Sequence, residues 1–396
     1  MCACLIFSIS TEYSLFGFPS AMPALDLSRL RVFPLSERKS LARTDQILID
    51  PQSPAAPISP LASAQVAAAA ERIRAARSRG AQVIVMYGAH LIRNGAALIG
   101  TDLMEQGWIT HLATNGAGTI HDWEYSWLGA STEGVATNVA AGTFGTWDET
   151  GHNLILAMAA GALHGLGYGG SLGRFIIEDG VTLPDAEELS RMVVQFLGDP
   201  LAAAVCDLHS LMQRHGIEPG PHPTVHRWKQ ASLIAQAWRL GIPVTVHPGI
   251  GYDIISCHPL FNGAIVGRAA GEDFRRFAGA VDGLDDGVVL SIGSAIMAPQ
   301  VFEKSLSCVH NLRFQSGRPP VSGHSIFVVD LQDGGGWDWT TGEPPKEHPA
   351  YYLRFCKSFS RMGGAMHYVQ ADNAAFLHHL WHQLNPGHLT NASSPA

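Results

Sequence analysis

Short apolar, β-branched runs alternate with helical stretches along most of the 396-residue chain, and this alternation limits the fold more than any other feature. The strand-like runs are 82–86, 109–113, 242–246, 288–292, 325–330 and 366–369. The helical stretches are 61–79, 95–106, 230–240, 351–360 and one that begins near residue 373. Strands that alternate with helices form a mostly parallel sheet with helices on both faces. We therefore predict an α/β, doubly wound, Rossmann-like fold.

The ends of the alternating region differ from its interior. No strong linker interrupts residues 61–384, which predicts a single domain. Residues 22–60 hold many prolines and little periodicity, which indicates an arm laid over the surface. Residues 1–21 lack the basic start of a signal peptide, so we expect a disordered leader, or a start placed too early with Met22 as the true first residue. Residues 385–396 are expected to form a disordered tail.

Composition excludes several classes of protein. Only 15% of the residues are charged and the net charge is −8, which argues against a disordered chain and against binding to nucleic acid. No apolar run reaches the roughly 18 residues that a membrane span needs. A hydrophobic content of 46% with so little charge predicts a homo-oligomer. The six scattered cysteines are typical of a reducing, cytoplasmic compartment.

The turn after the second predicted strand carries more glycines and polar side chains than a tight turn needs. Gly116 and Gly118 would let backbone N–H groups approach a phosphate or a nicotinamide, with the start of a helix behind them. Three polar residues, His121, Asp122 and Glu124, follow closely. The turn is therefore either a ligand loop or a plain glycine turn in which Asp122 caps the helix.

Two other patterns do not have the context that their chemistry requires. A literal G-x-G-x-x-G runs from Gly165 to Gly170, but it follows a helical stretch instead of a strand, so we expect a flexible glycine loop. His222 and His226 have metal-ligand spacing, but Pro223 lies between them and breaks a helix that would present both. The sequence predicts no metal site.

Lys357 lies in an apolar helical run, between the aromatic residues Tyr352 and Phe355 and the next strand. A lysine that is desolvated by such neighbours favours the neutral amine that imine formation requires. Alternatively, the side chain extends past the apolar surface and keeps its ammonium group in water. The sequence leaves both readings open.

A resemblance to a known family connects these segments. The run Ala89-His90-Leu91-Ile92-Arg93-Asn94-Gly95, followed by Thr114-Asn115-Gly116-Ala117-Gly118, resembles the deoxyhypusine synthase family, in which similar segments line the NAD site. The likeness extends over about residues 82–384 and implies the same fold, bound NAD and a homotetramer. The cofactor-binding residues that it implies are His90, Asn94, Gly95, Thr114, Asn115, Gly116, Gly118, Gly293, Ser294, Asp330 and Asp372.

The departures from that family indicate a different substrate. The family binds a polyamine with carboxylates that begin with a Glu-Glu pair after the glycine turn, and Ile120 and His121 stand there instead. The run from His121 to Tyr125 is similar to a His-Asp-x-Glu motif in the C-terminal domain of the archaeal-type ornithine cyclodeaminases, which use NAD on a small amino acid. The resemblance therefore implies a small amine or amino acid as substrate.

The resemblance implies an NAD-dependent transferase or lyase that works through an oxidised imine intermediate. Lys357, by its position in the helix, matches the family's imine-forming lysine, and His121 with Asp122 would transfer protons. Glu124 or Asp253 would hold the substrate ammonium. An enzyme of this kind should place Lys357 and His121 on one cavity. The alternatives are a non-catalytic NAD-binding oligomeric scaffold and a simple NAD-dependent amine dehydrogenase.

Overall fold

A six-stranded parallel sheet forms the centre of the computed structural model, which describes residues 25–386. Its strands are β1 (Val83–Tyr87), β2 (His111–Thr114), β3 (Val244–Val246), β4 (Val288–Ile292), β5 (Ser325–Asp330) and β6 (Ala365–Gln370). Their spatial order is β6-β5-β4-β1-β2-β3, and every neighbouring pair is parallel. The predicted fold class is confirmed. The expected leader and most of the expected tail lie outside the described residues.

Helices cover both faces of this sheet. The α-helices are α1 (Thr44–Ile47), α2 (Pro60–Ser78), α3 (Ala89–Arg93), α4 (Ala97–Glu105), α5 (Gly116–Leu128), α6 (Val135–Ala141), α7 (Asp148–Ala162), α8 (Tyr168–Ile177), α9 (Ala186–Gln195), α10 (Pro200–His215), α11 (Leu233–Leu240), α12 (Gly263–Asp282), α13 (Met297–Gln315), α14 (Arg354–Ser360) and α15 (Asn373–Leu384). Short 3₁₀ turns cover Leu27–Arg29, Leu35–Glu37, Lys229–Ala231, Ile254–Cys257, Trp339–Thr341 and Pro349–Tyr352. None of the helices within residues 25–386 is long and apolar enough to cross a membrane.

The central strand β1 shows why the apolar runs form this sheet. All five of its residues are buried. Because side chains alternate along a strand, Val83 and Val85 belong to a core cluster on one face, while Ile84 and Met86 belong to a second cluster on the other. The first cluster includes side chains of α2, α4, α5 and α15, and the second includes side chains of α13 and α14. Helices α5 and α14 therefore lie on opposite faces of the sheet.

The connection between β2 and β3 carries a helical insertion, α6 to α10, of which the sequence predicted only the helical stretch before Gly165. An antiparallel strand pair, Gly180–Leu183 with Gly220–Pro223, joins it. The expected flexible glycine loop starts α8 and is packed instead. The N–H group of Gly169 donates to buried Asp273 Oδ2 at 2.9 Å, and a Cβ atom at Gly167 would lie 1.8 Å from Asp273 Oδ1. These glycines are explained by the approach of that carboxylate.

The N-terminal arm, residues 25–59 in the structure, is built into the domain at several points. Leu35 is completely buried in the first core cluster. Farther along, three histidines of α15 donate hydrogen bonds to arm carbonyl groups. The ring nitrogens of His378, His379 and His382 lie 2.9, 2.8 and 3.1 Å from the backbone oxygens of Pro51, Ala56 and Ser53. The arm is therefore held by side-chain contacts as well as by surface packing.

Candidate functional site

The order of the strands reverses at one point of the sheet, between β1 and β4. The carboxyl ends of parallel strands share an edge. From the centre of the sheet, β1, β2 and β3 follow one another toward one side, whereas β4, β5 and β6 follow one another toward the opposite side. The connections after β1 and β4 therefore run apart, and ligands of doubly wound proteins bind where the order reverses in this way. We call the space beyond β1 and β4, bounded by Gly88, Gly293 and Asn373, the switch-point crevice.

The floor of the switch-point crevice is closely packed. A Cβ atom at Gly88 would lie 2.1 Å from the carbonyl oxygen of Gly293, so only glycine fits there. Gly293 has a φ of +58°, and a Cβ atom on it would lie 2.2 Å from Asn373 Nδ2. The Oδ1 atom of Asn373 is buried and accepts no hydrogen bond from the described residues. A buried acceptor without a donor is unfavourable, so a ligand that offers a donor would be stabilised here.

A cavity of about 510 Å³ lies beside this floor, between the arm and the sheet edge. Its lining includes Arg93, Asn94, Asp372 and His378. Asn94 Nδ2 lies 3.4 Å from Asp372 Oδ2, which joins the turns after β1 and β6. Arg93 is exposed, and its guanidinium makes no hydrogen bond or ion pair with the rest of residues 25–386. The cavity therefore offers an unneutralised cation beside an amide and a carboxylate.

The structure brings several of the expected cofactor residues to this edge. His90, Asn94 and Gly95 follow β1, Gly293 and Ser294 follow β4, Asp330 ends β5, and Asp372 follows β6. Some of these already have protein partners. Gly95, which has a φ of +83°, packs against the arm: a Cβ atom on it would lie 1.8 Å from the backbone oxygen of Ile47. Ser294 Oγ accepts from the N–H group of Ala298, and Asp330 Oδ1 accepts from that of Gln332.

The glycine turn after β2 is filled by protein groups. Asn115 Oδ1 accepts the N–H group of Gly118 at 2.9 Å. A Cβ atom at Gly118 would lie 2.2 Å from Thr114 Oγ1, and one at Gly116 would lie 2.0 Å from Asp253 Oδ2. The space at Gly116 that the sequence led us to assign to a nucleotide is therefore occupied by the Asp253 carboxylate. The two glycines are required by this packing.

Asp253 is nearly buried, and its Oδ2 accepts the N–H group of Gly249 at 2.7 Å. Burial raises the pKa of Asp253 to about 6. Its contact with the start of α5 is the kind of carboxylate position that a helix N-terminus stabilises. This placement explains Asp253 as a group that joins α5 to the loop after β3, and it differs from the expected position against a substrate ammonium.

Asp122 has a comparable internal role. Its carboxylate is completely buried and accepts hydrogen bonds from Ser232 Oγ and, at 2.8 Å, from the N–H group of Leu233. These bonds cap the start of α11, and burial raises the pKa of Asp122 to about 7. No hydrogen bond joins Asp122 to His121 in the described part of the chain. The structure therefore does not form the expected His121–Asp122 pair, since adjacent helical residues point about 100° apart.

His121 instead ends a buried chain of polar groups. Its Nδ1 lies 2.7 Å from Ser131 Oγ, and that hydroxyl donates to Glu124 Oε2. Glu124 is fully buried and is paired with Arg38 through two hydrogen bonds of 2.7 and 2.8 Å. Thr150 Oγ1 donates to the same carboxylate at 2.9 Å. Glu124 is therefore neutralised by the arm, and its expected role in holding a substrate ammonium is taken by the Arg38 guanidinium.

Lys357 lies in a different environment from the one that its neighbours in the sequence suggested. Its Nζ atom is 3.6 Å from the centre of the Tyr351 ring and 3.6 Å from Glu343 Oε2. An aromatic face and a carboxylate both stabilise an ammonium group. The side chain therefore lacks the wholly apolar surroundings that we expected for an imine-forming lysine.

Lys357 and His121 do not share a cavity within one chain. They lie on α14 and α5, on opposite faces of the sheet, next to β6 and β2 respectively. Those two strands are separated by four strand spacings of about 4.8 Å, or roughly 19 Å. The expectation that an enzyme should place both residues on one cavity is therefore not met by the single chain.

The comparisons with known proteins found solved structures that resemble this chain in fold at low sequence identity. The chain is similar to the crystal structure of AgrE in its ternary complex with ornithine and NAD+, with 15% identity and a TM-score of 0.42 over 85% of this chain and 34% of that one. It is also similar to apo ArgZ, an arginine dihydrolase from the ornithine–ammonia cycle in cyanobacteria, with 15% identity and a TM-score of 0.37 over 82% of this chain and 33% of that one. The chain thus spans about a third of the length of these structures. No family model matches it, and no curated protein matches it.

Sequence reasoning missed four residues of the site. Arg38 lies in a segment without periodicity, and Ser131 belongs to none of the motifs that we identified in the sequence. Arg93 and Asn373 stand inside segments that we did single out, yet their isolation from partners becomes visible only in three dimensions. Among residues 25–386 no group of three potential ligands could hold a metal ion.

Proposed function

We propose that the protein is an NAD-dependent enzyme that acts on a small amine or amino acid through an oxidised imine intermediate. The observation that carries this proposal is the reversal of strand order between β1 and β4, together with the buried Asn373 Oδ1 at this point, which accepts no hydrogen bond from the described residues. This is the position at which doubly wound sheets bind dinucleotides.

The residues at the switch-point crevice fit a nicotinamide dinucleotide. The Asn373 oxygen could accept a hydrogen bond from a ribose hydroxyl or a carboxamide. His90 and Asn94 stand at the rim. The chemistry that bound NAD would supply is removal of hydride from the carbon that bears the substrate amine, which leaves an imine. The glycine turn at Gly116, already filled by Asp253, is not part of this proposal.

The chain itself would supply proton transfer and charge. Burial lowers the pKa of His121, so its imidazole is neutral at neutral pH and can accept the proton that an ammonium substrate must lose before hydride leaves. Arg93, on the neighbouring helix α3, is free to bind an anionic group of the substrate or of the cofactor. Attack of a second amine on the imine carbon would expel ammonia and form a new imine, and return of the hydride to that imine would regenerate NAD+. An attacking amine of the same substrate molecule would give a lyase, and one of another molecule would give a transferase.

A homo-oligomer remains part of the proposal. Large exposed apolar side chains stand on the loops after β3, β4 and β5, at the same edge as the crevice: Ile250, Tyr252, Ile296 and Leu331. An apolar rim of this kind is typical of a subunit contact. We expect a homotetramer by light scattering at micromolar concentration, and a monomer would contradict this part of the proposal. In such an oligomer, Lys357 of one copy could contact the switch-point crevice of another copy.

Calorimetric titration of the full chain with NAD+, in the presence of L-ornithine or putrescine, tests the proposal. Asn373→Ala should weaken NAD+ binding about tenfold, since one hydrogen bond of about 1.4 kcal/mol is lost. Asn311→Ala, an exposed residue of α13, is the matched control and should bind normally. Absence of binding to the wild type under these conditions would refute the cofactor assignment.

A second candidate function is favoured by one observation. Asp122, Glu124 and Asp253, the acids expected at the site, are all engaged by protein groups. A non-catalytic NAD-binding scaffold would need none of them free. Tight binding of NAD+ with no formation of NADH and no release of ammonia from any amine tested would favour the scaffold. Steady accumulation of NADH would favour a simple amine dehydrogenase.

A further inference from the structure

We propose that Ser131 is a positioning residue that relays a hydrogen bond from His121 to the buried Glu124–Arg38 pair and leaves Nε2 as the only proton-accepting nitrogen of the ring. The use of His121 in catalysis rests on the proposed function, whereas the relay itself does not. Nothing in the local sequence marks Ser131, because its partners lie on α5 and on the arm.

The direction of each hydrogen bond follows from counting protons. A serine hydroxyl has one hydrogen, and here it is donated to Glu124 Oε2. Every group that contacts the Glu124 carboxylate donates to it, including the Arg38 guanidinium and the Thr150 hydroxyl. The contact of 2.7 Å between His121 Nδ1 and Ser131 Oγ therefore requires a hydrogen on Nδ1. In the neutral ring Nε2 then carries a lone pair.

The backbone around Ser131 holds the relay in place. Ser131 pairs with Ala42 of the arm in a short antiparallel ladder, and the N–H group of Leu41 donates to the oxygen of Thr132 at 2.9 Å. Thr132 has a φ of +71°, which is unfavourable for a β-branched residue. A strained residue directly after Ser131 indicates that the hydroxyl position is imposed by the surrounding structure.

The surroundings of His121 make the choice of nitrogen consequential. Nε2 makes no hydrogen bond to the described residues, and the ring is only partly buried. The charged and titratable groups that face it are Glu124 and Arg38 behind Ser131, His90 and Arg93 on α3, and Tyr125 on its own helix. A proton taken up at Nε2 gives an imidazolium whose Nδ1–H still donates to Ser131, so no group in the relay has to rearrange.

Side-chain ¹⁵N NMR of the full chain, with His121→Gln to assign the signals, tests the relay without a substrate. In the wild type we expect neutral His121 to carry its proton on Nδ1. Ser131→Ala should abolish that preference and lower the pKa of His121 by about one unit, because the link to the Glu124 charge is lost. Ser131→Thr keeps a hydroxyl and should restore both values.

Ser126→Ala is the matched control. Ser126 is a buried serine of α5, the helix that carries His121, and its hydroxyl donates to the backbone oxygen of Trp123. It should leave the His121 signals unchanged. A wild-type His121 protonated on Nε2 would overturn the relay even if Ser131→Ala failed to fold. An unchanged tautomer in Ser131→Ala would also overturn it. An intact relay in a protein that does not bind NAD+ would refute the proposed function and leave the relay standing.

Discussion

Three buried aspartates beside one half of the sheet differ in their surroundings from two surface acids beside the other half. Around β1 to β3, Asp122, Asp253 and Asp273 are buried against backbone N–H groups, and burial raises the pKa of each. Around β4 to β6, Asp282 and Glu343 lie nearer the surface, where hydrogen bonds from arginine side chains lower the pKa of each. The first half thus holds groups that can change protonation near neutral pH, while the second holds groups whose charges are already balanced. Proton chemistry is therefore expected beside β1 and β2.

The strongest test of this contrast replaces each of the two candidate catalytic residues, His121 and Lys357, in a separate variant. His121→Gln should lower turnover of an amine substrate by about 100- to 10,000-fold, the usual contribution of a general base. Lys357→Arg should stay within a few-fold of the wild type, because an arginine can keep both the Tyr351 and the Glu343 contacts. The measurement is the rate of ammonia release during steady-state turnover. Loss of turnover in Lys357→Arg would show that the lysine reacts, and would reverse the contrast.

The next effect concerns stability in the first half. Arg38→Met should destabilise the fold by about 3–5 kcal/mol in urea unfolding, because it leaves the Glu124 carboxylate buried without its cation. Arg43→Met, which breaks an exposed pair with Asp45 on the same arm, should have a far smaller effect, because solvent screens that pair. Equal costs for the two variants would mean that the arm is bound by packing alone.

The smallest effect is a dependence on pH. Burial raises the pKa of Asp273 to about 7, so the folded protein keeps this proton between about pH 4 and 7 while the unfolded chain has released it. The contribution of Asp273 to stability therefore falls as pH rises through that window. Relative to Asp273→Asn, which cannot titrate, the wild type should lose up to about 1.4 kcal/mol per pH unit. Parallel stability curves between pH 5 and 7 would contradict the assignment.

The sequence predicted the sheet well because strands and cores are local patterns. All six predicted strands exist, and 288–292 and 325–330 have the predicted bounds. The partners of the polar residues could not be predicted in the same way. Glu124 depends on Arg38, 86 residues earlier, and Asp122 caps a helix that begins 111 residues later at Leu233. Nothing near either acid in the sequence records such a partner, so both were expected to be free.

The central position of β1 also has a consequence for biosynthesis. Val83 pairs with Val288, so the middle of the sheet closes only after about 200 further residues have been synthesised. At about 5–20 residues per second, this interval is on the order of 10–40 s on the ribosome. During that time β1 can pair with β2 but presents its other edge unpaired. A nascent chain of this protein is therefore expected to need protection from aggregation until β4 emerges.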